Sequence, residues 1–420
     1  MTTTDPIPPV TTDRLPLSPL LALSTAVFIT TLTETLPAGL LTPMSAGFGV
    51  SDSAMGQTIT IYAVGTVLTA VPLSTVTAHW RRKRLLLAAM VGFLAANTLT
   101  ALAPSYALSM TGRFLAGVAA GVAWALLAGY ARRLAPPHLA GRAIAVAMTG
   151  IPLALSLGVP LGTFIGQVLS WRAAFGLMSV LTVLVIVWII ASLADFPGVS
   201  RGPSSEARRP SMLAAASVPG VAAVLAVTLV FVLAHTINYT YIATYLDNAG
   251  MADSTDLALL VFGLACLVSI WFVGRRVDRS LRQLTTGSVA LVAGAAVVFA
   301  VADSPVAIYA AAAIWGLGWG GVPTLLQTAG ARAGSRHSTV AAEGAQAMLV
   351  TLWNAAMAIG GSAGGIILSV GGVVALPAAT ALLSLPALLV VVMARGHAFP
   401  DAVAVSASPA DETRSTAPLG

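Results

Sequence analysis

Residues 106–133 read YALSMTGRFLAGVAAGVAWALLAGYARR. From Tyr106 to Ala131 the only charged side chain is Arg113, and the run closes on Arg132 and Arg133. About twenty apolar residues, each adding 1.5 Å of helical rise, match the roughly 30 Å of hydrocarbon in a bilayer. Comparable runs fall at 20–45, 54–78, 85–103, 143–168, 173–194, 219–246, 256–274, 284–302, 305–329, 343–370 and 373–394. With 106–131 they predict an all-α membrane protein of twelve transmembrane helices whose two ends lie on one side. Composition agrees, since 57% of residues are hydrophobic and 9% charged, against about 25% charged in a typical soluble domain. So few polar side chains cannot cover a soluble fold of this size.

The first run contains Glu34 and Pro37 and follows no strongly basic leader, so it reads as a span and not as a cleaved signal. Cys266 is the single cysteine and lies in an apolar run. It can form no intrachain disulfide and no thiolate cluster, and no metal or cofactor is expected. The net charge of +6 does not point to nucleic acid, because the cations occupy short loops between spans.

Those loops set the expected orientation. Arg81, Arg82, Lys83 and Arg84 follow span 2; Arg132, Arg133 and Arg142 follow span 4; Arg201, Arg208 and Arg209 follow span 6. Arg275, Arg276, Arg279 and Arg282 follow span 8, Arg332 and Arg336 follow span 10, and Arg14, Arg395 and Arg414 are terminal. Nineteen of the twenty-one cations thus share one side, which the positive-inside rule makes cytoplasmic. The expectation is a multi-pass protein of the cell inner membrane with both termini cytoplasmic.

The stretch from Asp195 to Ser217 is rich in Pro, Gly, Ser and Arg and divides the spans six and six. The expected division is an N-terminal segment 1–18, a six-helix bundle 19–195, an interdomain loop 196–217, a second bundle 218–396 and a disordered tail 397–420. A shift of 199 residues places Gly117 on Gly316, Gly121 on Gly320 and Arg133 on Arg332, and a shift of 202 places Gly158 on Gly360 and Gly162 on Gly364. These matches point to two pseudo-symmetric bundles, an arrangement in which transporters place their substrate site between halves at the midplane.

Several polar groups interrupt the spans. Glu34, in TTLTETLP (residues 30–37), sits roughly 20 Å along span 1. A carboxylate at that depth costs about 2.5 kcal/mol or more unless it is wet, paired or protonated. It reads as a protonation site, with a structural, hydrogen-bonded acid as the competing reading. Arg113 keeps its charge and must be paired or face a wet cavity, either in proton coupling or as a clamp on backbone carbonyls. Span 7 carries His235, Asn238 and Tyr239 on one helical face, able to bind a hydroxylated or aromatic solute, with His235 also able to relay protons. Trp124, Gln327 and Asn354 are further substrate-binding candidates; each is also an ordinary packing residue. Gly158, Pro160 and Gly162 give span 5 a bend and a smooth face suited to close packing or to sliding.

Arg113-x-x-x-Gly117 resembles the span 4 signature of the twelve-span drug:proton antiporter group of the major facilitator superfamily, with Ala116 where that group usually has glutamine. The resemblance covers roughly residues 20–395 and implies that Arg113 takes part in proton coupling. Gly158-x-Pro160-x-Gly162 is similar to that group's span 5 motif. Gly274-Arg-Arg-Val-Asp278-Arg279, in the loop expected after span 8, resembles the superfamily's Gly-x-x-x-Asp-Arg gating motif. Its counterpart at 77–84 keeps Arg81, Arg82 and Arg84 but has no aspartate, leaving a basic cluster able to bind helix carbonyl ends. Glu34 with Pro37 and Gly39, His235 with Tyr239 and Tyr241, and Trp315 with Gly320, Pro323 and Gln327 look nearest to the sugar-efflux and arabinose-efflux permease branch, with chloramphenicol exporters as near relatives.

The resemblance implies proton-driven export of a sugar or a drug by a monomer that rocks two bundles about a central cavity. An importer or uniporter of the same fold is the alternative. A non-transporting ligand sensor is a further one, although neither the 195–217 stretch nor the tail is long enough for a signalling domain. Enzyme chemistry is not expected, because no His or acidic pair has metal or nucleophile spacing.

Overall fold

The computed structural model describes residues 15–77, 79–136, 139–198, 217–394 and 398–399. Arg14, Arg201, Arg208, Arg209, Arg395 and Arg414 lie outside the described residues, as do most of the expected interdomain loop and tail. Ten segments among the described residues are long and apolar enough to cross a bilayer.

The N-terminal half comprises α1 (Leu17–Gly39), α2 (Leu41–Phe48), α3 (Asp52–Val76), α4 (Arg82–Leu102), α5 (Tyr106–Leu134), α6 (Ala140–Met148), α7 (Gly150–Leu153), α8 (Val159–Val168) and α9 (Trp171–Ser192). The C-terminal half comprises α10 (Pro219–Thr240), α11 (Ile242–Asn248), α12 (Thr255–Val301), α13 (Pro305–Trp319), α14 (Val322–Ser335), α15 (Thr339–Gly371) and α16 (Ala375–Met393). At 47 residues, α12 would be about 70 Å long if straight, more than twice the hydrocarbon thickness. It breaks at Ser280 (φ −137°, ψ 39°) and so supplies two crossings. With that division, and with α3 counted as a crossing, the helices account for the twelve apolar runs.

Four runs are bent or split. Span 1 breaks at Leu40, after Pro37, and span 7 breaks at Tyr241, 201 residues later. Span 5 widens into a π turn at Ala154–Gly158 just before Pro160, whose ring nitrogen offers no N–H to the ladder. Span 10 breaks between α13 and α14, where Pro323 occupies the first turn of α14. The Gly274–Arg279 motif corrects one expectation: it is helical, not a loop, because nothing in it lacks a backbone N–H and the chain reverses only at Ser280.

The duplication extends to helix ends. Ser105 accepts from the N–H of Leu108 at the start of α5, and Ser304 accepts from that of Ala307 at the start of α13, the same cap 199 residues on. A Cβ on Gly117 would lie 2.0 Å from the Tyr62 carbonyl oxygen, and one on Gly316 would lie 2.2 Å from that of Phe262. Backbone therefore meets backbone at equivalent crossings in both halves.

Lipid is the solvent for the outer faces. Along α9, Leu177, Val180, Leu184 and Val187 form a helical stripe that is 40–60% exposed, while Met178, Val185 and Ile189 are buried. Such a stripe in water would drive aggregation.

Two apolar cores position the site. One runs through both halves and takes in Leu36, Met44, Ile59, Trp171, Ile237 and Leu259. The other, with Leu23, Leu86, Tyr130 and Ile189, is confined to the N-terminal half, nearer the basic loops. Hydrogen bonds across the seam follow the shared core. Ser53 donates to the Gly365 carbonyl at 2.8 Å, Thr60 to that of Ala358 at 3.1 Å, Ser362 to Gln57 Oε1 at 3.0 Å and Thr244 to Asp52 Oδ2 at 2.6 Å. These contacts close the seam at the end away from the basic loops.

Candidate functional site

The first group of site residues stands on α1, α3 and α5. Arg113 is completely buried; its Nη1 donates to the Thr33 carbonyl at 2.7 Å and its guanidinium lies 5.0 Å from the centre of the Tyr62 ring. Tyr62 in turn donates to Glu34 Oε2 at 3.4 Å. A single phenol therefore touches both the cation and the carboxylate. Asn97 joins them by donating to Thr33 Oγ1 at 3.1 Å. The Nε and Nη2 atoms of Arg113 have no hydrogen-bond partner among the described residues. A buried guanidinium with two open donors is costly. Those donors are suited to a carboxylate that arrives and leaves.

The second group stands on α10, α12 and α13. Trp315 donates through Nε1 to His235 Nδ1 at 3.1 Å. On its other side His235 stacks on Trp319, with ring centres 3.4 Å apart and planes 4° from parallel. Tyr239 and Phe262 complete the cluster at 5.3 and 6.3 Å from His235, and Trp353 adjoins Trp319 at 5.6 Å. Because Nδ1 accepts, the neutral imidazole carries its hydrogen on Nε2.

The groups meet at the seam. Helix α10, which carries His235 and Tyr239, packs against α1, which carries Glu34. Glu34, Arg113, His235 and Tyr239 are thus brought into one region.

Other candidates lie elsewhere. Asn238 is buried on α10; Asn354 is buried too, and its amide donates to its own helix at the Val350 carbonyl, 3.0 Å away. Gln327 is exposed, and its backbone carbonyl accepts from Gln346 at 2.8 Å. Trp124 packs against the N-terminal core and not with the ring cluster. Gly158 and Gly162 pack on Phe28 and Leu36 of α1, with Pro160 buried between them.

Among the residues expected to gate, Arg81 pairs with Asp195 at 2.5 Å, and the backbone N–H of Arg82 donates to the Phe196 carbonyl at 2.9 Å. Arg84, Gly274 and Arg279 are exposed, and Asp278 pairs with Arg332 at 2.7 Å. Lys83 donates to the Ile190 and Leu193 carbonyls, both at 2.8 Å, so the basic cluster does hold the carbonyl end of α9. Tyr62, Thr33, Asn97 and Phe262 were not legible as site residues. Tyr62 is the only aromatic residue of span 2, and that was the one available signal.

The family model described as Major Facilitator Superfamily matches residues 23–345. The purine ribonucleoside efflux pump NepI of Salmonella typhimurium (strain LT2) is 31% identical over 293 residues, covering 69% of this chain and 72% of that protein, and the pump of the same name from Salmonella typhi matches equally. A bacterial homologue of the human lysosomal transporter Spinster, solved in an inward-facing and unoccupied conformation, superposes with a TM-score of 0.68 at 14% identity over 92% of this chain and 97% of that one. A mutant peptide transporter POT solved with sulfate gives a TM-score of 0.69 at 14% identity over 89% and 94%. On the match to more than three quarters of its length, the duplicated helical halves and the lipid-facing stripes, this chain is a multi-pass membrane transporter that belongs to the major facilitator superfamily.

Proposed function

We propose that the protein exports a small solute of the ribonucleoside class in exchange for protons, by alternating access of its two halves in the inner membrane. One observation carries this reading: the Glu34–Tyr62–Arg113 group and the aromatic cluster around His235 stand on α1 and α10, which pack against each other at the seam. A protonatable group and a ligand surface that share a moving boundary can bias each other. Coupling requires this, because a proton with equal affinity for both states shifts nothing.

The relatives named above are purine ribonucleoside pumps, so a ribonucleoside takes the place of a bare sugar or chloramphenicol as the substrate class. A flat base suits Trp319 and Trp353, and the ribose hydroxyls suit Tyr239. Between the two roles open to His235, solute binding is favoured over proton relay. Its Nδ1 already accepts from an indole that can only donate, so a proton there would set two donors against each other. Glu34 is left as the proton carrier, with Arg113 as its alternating partner.

The seam closed away from the basic loops supports a form open to the cytoplasm, with both termini on that side. The reading takes the protein as a monomer without enzymatic activity. Radiolabelled inosine should accumulate in acid-loaded inverted vesicles and disperse on addition of a protonophore. Accumulation in right-side-out vesicles instead would make the protein an importer.

Two further outcomes follow. Trp319→Ala should raise KM for the solute about tenfold or more, the cost of one lost base–aromatic stack of about 1–3 kcal/mol, with little change in maximal rate. Thr60→Cys combined with Ser362→Cys replaces two hydroxyls 3.2 Å apart across the seam. Oxidation should crosslink the pair and arrest transport, and a reductant should restore it; undiminished flux in the crosslinked protein would mean that this end of the seam need not open.

A further inference from the structure

Span 1 carries its proline four residues after Thr33. In an α-helix the N–H of residue 37 closes on the carbonyl of residue 33, but proline has no N–H and its ring presses on that carbonyl. Pro37 lies inside α1, and Thr33 is fully buried, so the carbonyl needs a donor from elsewhere. Arg113 Nη1 is that donor, at 2.7 Å. Asn97 steadies the same residue by donating to Thr33 Oγ1 at 3.1 Å. The residue that holds the guanidinium is therefore the chain neighbour of Glu34.

The C-terminal half lacks both members of this arrangement. The 201-residue shift that relates the breaks in spans 1 and 7 places Ala234 on Thr33, His235 on Glu34 and Asn238 on Pro37, and the 199-residue shift places Ala312 on Arg113. Asn238 has a backbone N–H to return to the Ala234 carbonyl, and the side chain that reaches this carbonyl is the neutral hydroxyl of Thr380, at 2.9 Å. Proline and arginine occur together in the half that carries the acid and are replaced together in the half that carries the imidazole.

We propose that Pro37 is a positioning residue for the coupling pair: by leaving the Thr33 carbonyl without a helical donor, it makes the anchor that holds Arg113 next to Glu34, with Nε and Nη2 open toward a carboxylate. Pro37 acts only through Thr33. The role rests on the reading of Glu34 as proton carrier and Arg113 as its partner.

Alanine and lactic acid at position 37 separate the missing N–H from the proline ring, since lactic acid is alanine with an ester oxygen in place of the N–H. Both can be placed in the full chain, the second by nonsense suppression in cell-free synthesis, and reconstituted in vesicles. Pro37→Ala gives the Thr33 carbonyl a helical donor and leaves Arg113 as a second one. The ratio of gradient-driven inosine uptake to counterflow should then fall about tenfold, equivalent to about 1.4 kcal/mol and in the range of one weakened hydrogen bond to a charged group, with counterflow near the wild-type rate. Lactic acid should keep the wild-type ratio. An unchanged ratio in Pro37→Ala, or an equal loss with lactic acid, which would assign the effect to the ring, would overturn the role.

Melting in detergent tests the anchor without reference to transport. Arg113→Gln should lower the midpoint less in the Pro37→Ala background than in the wild type, because the bond it removes is already weakened there. Equal losses in the two backgrounds would overturn the anchor. Wild-type protein that accumulates no inosine under a pH gradient would sink the proposed export reaction and leave the anchor to be decided by melting alone.

Discussion

Glu34→Gln should lower proton-driven solute accumulation by about a hundredfold, which corresponds to about 2.7 kcal/mol of coupling, while solute counterflow at equal pH persists near the wild-type rate. Glutamine matches the protonated carboxyl in size and can still accept from Tyr62, so the site stays packed. It cannot ionise, and the two open donors of Arg113 then never receive a carboxylate. The transporter should be held in the equivalent of its proton-loaded form and exchange solute without drawing on the gradient. The check is the ratio of gradient-driven uptake to counterflow in the same vesicles. Gradient-driven uptake at the wild-type level would remove Glu34 from the coupling step; loss of counterflow as well would mean that Glu34 serves binding.

The second large effect is on folding. Alanine is the better helix former by about 1 kcal/mol, so propensity alone would make Gly117→Ala stabilising. The clash decides the sign. A Cβ there would stand 2.0 Å from the backbone oxygen of Tyr62, where no side-chain rotation can make room, and overpacking of a tight contact costs about 1–3 kcal/mol or more. A net loss of about 2 kcal/mol is expected, with a lower melting temperature and lower yield in detergent. Gly316→Ala should behave alike, since its Cβ would meet the Phe262 oxygen at 2.2 Å. Gly129→Ala is the control, because nothing lies within 4 Å of its Cβ. Because Tyr62 also contacts Glu34, Gly117→Ala should impair coupling in whatever protein does fold. Equal stability of the Gly117 and Gly129 variants would mean that α3 and α5 can part at no cost.

How far the chain could be read without coordinates depends on the kind of interaction involved. Hydropathy dictates a twelve-run membrane protein because the cost of exposed backbone and charge in hydrocarbon is set residue by residue. The duplication was legible in Gly117 and Gly316 for a related reason: close helix crossings tolerate only glycine, and that need is written at the position itself. Arg113 and Glu34 stood out because an ionisable group at midspan is expensive wherever it points.

Their partners did not stand out. Tyr62, Thr33 and Asn97 resemble any residue of a helical core until α1, α3, α4 and α5 are packed together. The same limit applies to the aromatic cluster, since a tryptophan in a span reads alike whether it meets lipid, a neighbour or a solute. Packing gathered His235, Tyr239, Phe262, Trp315 and Trp319 into one cluster and left Trp124 in the N-terminal core and Gln327 exposed. Transfer into lipid is a property of single segments and is carried by the sequence. The meeting of an acid, a cation and a set of rings from helices far apart in the chain depends on rotation and register, and only the folded structure decides it.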